Sequence, residues 1–141
     1  MDTKSTLKLT LQGARKVLDA ALQQAKTTGQ EISVAVVDGG GHLLAFARTD
    51  EAELQTITIA ENKARSAAFS GIPTGKRSKA GNEGNDHHLL AITLAAGTDK
   101  VVTVQGGIPI LVSGQCVGGV GVSGAAHADG EIARAGAETL S

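Results

Sequence analysis

Two phenylalanines, Phe46 and Phe69, are the only aromatic residues in 141; Trp and Tyr are absent, while glycine occurs 19 times. Without large rings, Val, Ile, Leu and Ala must fill the core, which reaches native density only if backbones approach closely. The demand is sharpest in CVGGVGVS (116–123), where Gly118, Gly119 and Gly121 interrupt an apolar run. Glycines inside a strand leave room for a second backbone or a ligand. A chain of this length fits one domain, 1–141, and a fold of its size buries about two-thirds of its unfolded surface.

Apolar residues make up 41% and charged residues 19%, with a formal net charge of −1. That balance is too apolar for disorder and offers no electrostatic footprint for nucleic acid or an acidic membrane. The shortage of aromatics also removes stacking platforms for single strands. The single cysteine, Cys116, cannot form an internal disulfide or a multi-cysteine metal site. The N-terminal stretch lacks an apolar leader core and no run reaches membrane-spanning length, so a cytoplasmic protein without a membrane partner is expected.

Apolar residues recurring at three- and four-residue steps predict a helix over 11–28, capped by Thr10 and stopped by Gly29. Ile32–Val37 and His42–Arg48 read as strands joined through Asp38-Gly39-Gly40-Gly41. A small-residue helix is expected over 57–70, with Thr58 and Glu61 at capping-box spacing. The polar stretch 72–86 carries Lys76, Arg77 and Lys79; a loop this long is usually mobile or functional. Asp86 is expected to cap a shorter helix through Ala96. Strands are expected at 101–104, 108–112 and 116–123, and a last helix at 128–140. This order favours an α+β fold, an antiparallel sheet flanked by helices, over a doubly wound parallel sheet.

Several segments together resemble the GlcG/HbpS-like haem-binding proteins, which include the C-terminal domain of PduO-type proteins. They are SVAVVDGGGHLLAFARTD (33–50), IAENKARSAAF (59–69), GGIPI (106–110), VGGVGVSG (117–124) and EIARAG (131–136). The resemblance implies a profilin-like α/β/α fold around a five-stranded antiparallel sheet. It also implies a homo-oligomer (dimer, tetramer or octamer) and, in some members, haem or corrinoid as ligand. Asn85-Asp86-His87-His88 looks particular to this chain.

Three constellations can carry chemistry. His87 and His88 offer imidazoles that could ligate haem iron or move protons near neutral pH; a solvated pair at a helix start is the plainer reading. Arg48, Lys63 and Glu61 form the second set, whose two cations suit a haem propionate or an organic acid. A structural salt-bridge network with Asp50 explains them equally well. Gly106, Gly107 and Pro109 present backbone amides that could hold an anion or an enolate oxygen, although a bare hairpin turn would look the same. His42 suits a turn role, His127 faces solvent, and Cys116 reads as a buried small apolar residue. No zinc-binding motif emerges from the histidine positions.

Three functions follow. The first is a small-molecule binding module with an anionic ligand, haem or a related tetrapyrrole being the candidate cofactor. The second is a cofactor-independent isomerase, tautomerase or lyase for a small carboxylated catabolite. There, Arg48 and Lys63 would hold the carboxylate and His87 or His88 would move the proton. The third is a non-catalytic partner of a catabolic enzyme.

Overall fold

A computed structural model describes residues 1–140. Helix α1 (Leu11–Thr27) begins where the Thr10 side chain accepts a hydrogen bond from the Gly13 N–H. The hairpin β1 (Ser33–Asp38) and β2 (Leu43–Arg48) follows, then α2 (Gln55–Ser70) and α3 (Asp86–Ala96). Strands β3 (Gly107–Val112) and β4 (Gln115–Ser123) precede α4 (Asp129–Ala137), which is flanked by short 3-10 turns at 126–128 and 138–140. The four strands lie in the order β2-β1-β4-β3, every pair antiparallel.

The sheet has four strands among the described residues, not the expected five. Residues 101–104 form no ladder: the Val102 N–H donates to Ser66 Oγ on α2. The β-branched composition of this segment thus reflects packing beside a helix rather than strand pairing. Helix α2 starts two residues before the expected position, and its N-terminus makes no side-chain cap hydrogen bond, so Thr58 and Glu61 do not form a capping box. The cap of α3 is Asn85, whose side chain accepts from the His88 N–H, rather than Asp86.

Alternation along β1 buries both faces. Val34 and Val36 join Ile108, Ile110, Val120 and Val122 in a core with Val17, Ala21 and Ile132 of α1 and α4. Ala35 and Val37 point the other way, against Ala60, Ala64 and Ala68 of α2. On that second face the sheet carries almost no side chain beneath α2. A Cβ at Gly119 would strike the Ala64 carbonyl, one at Gly121 the Ala60 carbonyl, and one at Gly107 the Lys63 carbonyl. Of the three β4 glycines expected to admit a second backbone or a ligand, Gly119 and Gly121 admit the backbone of α2, and a Cβ at Gly118 would strike the Val37 carbonyl of β1. Dispersion across many close contacts holds this layer where large side chains cannot.

Candidate functional site

Where the C-terminal end of α2 leaves the sheet, the chain opens a cleft of about 490 Å³. Phe69, Ile72, Leu89, Ile92, Val101 and Val102 give it apolar walls. Lys76, Arg77 and Lys100 supply positive charge along the lining, with Glu83 the acid among them, and His88 reaches the edge from α3. Gly71, in the left-handed conformation at φ 72°, ends α2 and turns the chain toward the cleft.

The 72–85 connection forms a compact ribbon. The backbones of Arg77 and Glu83 pair in an isolated antiparallel β-bridge, Ser78 N–H donates to Asn82 O at 2.9 Å, and Gly84 N–H donates to Lys76 O at 2.8 Å. The Arg77 guanidinium also donates to Gly81 O at 3.0 Å. These bonds hold the basic residues beside α3.

The residues singled out in the sequence are distributed unequally around this cleft. His88 lines it and His87 does not; adjacent helical residues point about 100° apart. Lys63 is 3% exposed, and its Nζ donates to Asp129 Oδ2 at 3.0 Å and to Val122 O at 2.9 Å. The other oxygen of Asp129 accepts the Ala125 N–H at 2.8 Å. Burial of an ammonium demands such pairing. Gly106, at φ 127°, makes room for it, since a Cβ there would lie 2.6 Å from Lys63 Nζ.

Gly107 N–H donates to Thr74 Oγ1 at 2.8 Å, and Thr74 N–H returns a bond to Gly107 O at 2.9 Å. Pro109 sits in β3 opposite Gly119, on an edge strand where a missing N–H is tolerated. Lys63, Gly106 and Gly107 thus meet, but through internal bonds that tie α2, the sheet and α4 together.

Arg48 stands exposed at the end of β2. Glu61 faces Arg65 at 3.8 Å, and Arg65 also reaches Asn62 and Asp99 O. None of Arg48, Lys63 and Glu61 is in the lining of the cleft. Asp129, the partner of Lys63, escaped notice in the sequence because 66 residues separate the two. Lys100, Phe69 and Ile72 also went unnoticed as cleft residues; the only available signal was the basic composition of the neighbouring loop.

At the β1–β2 turn, Asp38 Oδ1 accepts from the N–H groups of Gly40 and His42 and lies 3.3 Å from His42 Nδ1. Burial pushes the Asp38 pKa upward, but these backbone donors and the His42 ring outweigh it and hold the carboxyl below its ordinary value. His42 thereby braces the turn. Cys116 is half-buried, not fully buried as expected, with its Sγ against Ala68 O and Gly118 O. Among the described residues no group of three or more His, Cys, Asp or Glu could hold a metal ion, and no helix is long and apolar enough to cross a membrane.

A four-stranded antiparallel sheet layered between helices, with an apolar cleft edged by cations beside it, defines an α+β protein. Residues 9–138 match the family described as haem degrading protein HbpS-like, and the chain belongs to that family. Protein GlcG of Escherichia coli K12 is 34% identical over 120 residues, covering 85% of this chain and 84% of GlcG. The crystal structure of a double mutant of Streptomyces reticuli HbpS is similar at 32% identity and a TM-score of 0.80, covering 99% of this chain and 92% of the other. A PduOC:heme complex shares the fold at 22% identity and a TM-score of 0.77, with 95% and 96% covered.

Proposed function

We propose that this chain binds a planar, anionic, amphipathic ligand of the haem or tetrapyrrole class in the cleft between α2 and α3. The observation that carries this reading is the pairing of apolar walls with Lys76, Arg77 and Lys100 around one opening of about 490 Å³. A macrocycle needs an apolar slot, and its propionates need cations that do not deprotonate. His88 adds a nitrogen donor at the edge, so the residues present fit the group. Phe69 and Ile92 would lie against the ring, Lys76 and Arg77 would hold the carboxylates, and His88 would offer its imidazole nitrogen to the iron. Bound haem would supply an iron centre with a strong Soret absorption. The description of the matched family supports this ligand class.

The isomerase reading has less support, because Lys63 is committed to Asp129 and the Gly107 amide to Thr74. Hemin titration followed in the Soret region tests the binding reading. The wild-type chain should give a shifted band, His88→Ala should lose that shift, and His87→Ala should keep it. A wild type without a shifted band rejects haem, and an unchanged His88→Ala spectrum rejects His88 as the donor.

A further inference from the structure

We propose that Glu83 is a specificity-determining residue of the cleft: it admits ligands whose carboxylates lie along one edge and turns away those that carry further carboxylates. The inference rests on the ligand-binding reading above and narrows the class of tetrapyrrole that the cleft takes.

The ribbon sets its position. Arg77 and Glu83 are directly opposite in an antiparallel bridge. Residues so paired place their side chains on one face, with Cβ atoms about 5 Å apart, and both of these line the cleft. Opposite charges in that arrangement attract. Yet the Arg77 guanidinium donates to Gly81 O at 3.0 Å, and the Glu83 carboxylate has no hydrogen-bond or ion-pair partner among the described residues. A carbonyl acceptor leaves the guanidinium its full charge and its other N–H donors. The cleft wall therefore holds a cation ready for a ligand carboxylate and, beside it, an anion that nothing neutralises.

The cations of the lining are not equally open. Lys100 Nζ lies 3.5 Å from Asp99 Oδ1, so its charge is shared with a neighbour. Lys76 has no ion-pair partner among the described residues and precedes Arg77 directly in the ribbon. These two open cations serve two carboxylates on one edge of a ligand. Phe69, Leu89 and Ile92 line other parts of the cleft, where a carboxylate would lose hydration without gaining a partner. A further carboxylate near the ribbon meets Glu83. A ring with two adjacent propionates suits this distribution, whereas a ring with propionates spread around its whole rim does not.

Fluorescence titration of the full chain with two metal-free porphyrins tests the proposal: mesoporphyrin IX, which has two carboxylates, and coproporphyrin III, which has four. The wild type should bind mesoporphyrin more tightly by at least about tenfold. Glu83→Gln should narrow that gap by about fivefold, the effect of one like-charge contact near 4 Å in water. Asn82→Asp adds a carboxylate to the same lining and should widen the gap by a similar factor. Glu51→Gln removes the same charge at an exposed glutamate outside the cleft and should leave the gap unchanged. Retained mesoporphyrin binding shows that a variant's cleft is intact. A gap that moves by less than twofold in either cleft variant so validated, or that Glu51→Gln narrows equally, overturns the proposal and leaves the ligand-binding reading standing. A wild type that binds neither porphyrin overturns that reading and this inference with it.

Discussion

Helices α2 and α3 are neighbours in sequence and both are rich in alanine, but the fold treats them in opposite ways. α2 buries Ala60, Ala64, Ala67 and Ala68 and lies on the backbone of β4. α3 is more apolar in composition and buries nothing. What separates them is the surface offered to each. The sheet presents Gly107, Gly119 and Gly121 to α2, so small residues can approach until carbonyls meet the glycine Cα positions. Beneath α3 lies an open cleft edged by cations. Apolar character alone does not determine burial; a complementary surface does. In this molecule one helix closes the body and the other leaves its apolar side chains exposed.

The tight side should be far more sensitive to substitution, first at its buried ion pair. Lys63→Met leaves Asp129 buried without its ammonium and should cost about 3–5 kcal/mol in urea unfolding. Lys63→Met/Asp129→Asn keeps an acceptor for the Ala125 N–H, removes both charges, and should recover at least half of that loss. A single-variant cost below about 1 kcal/mol would mean that the pair is hydrated rather than part of the tight layer. Next in size is Gly121→Ala. The added methyl meets Ala60 O and Ala64 N, both backbone atoms that cannot rotate away, so a loss of about 2–3 kcal/mol is expected from overpacking. An unchanged unfolding midpoint would show that α2 can lift from β4.

The same contrast explains what could be read from the chain itself. Turn glycines and periodicity located the helices and the β1–β2 hairpin, because those signals are local. The glycines of β4 pointed to close approach, yet they could not say whether helix backbone or ligand would occupy the space. The 101–104 segment has the composition of a strand but spends the Val102 N–H on Ser66 of α2, a long-range bond that composition does not encode. Lys63 resembled a ligand-binding cation because its partner, Asp129, lies in a different helix. The two adjacent histidines required geometry to separate them: one lines the cleft and the other lies on the outer side of α3. The cleft is built from the end of α2, a loop and one side of α3, none of which carries a complete motif.

The smallest expected effect tests whether α3 folds as part of the body. Asn85 accepts the His88 N–H at 2.9 Å and caps the helix, and removing such a cap costs about 1 kcal/mol of helix stability. If α3 is energetically separate, Asn85→Ala should speed amide hydrogen exchange within α3 by about fivefold through local opening. Exchange in α2 and the urea midpoint should stay unchanged. A fall in the urea midpoint together with faster exchange in α2 would instead place both helices in one cooperative unit. In that case the cleft wall would draw its order from the alanine–glycine layer.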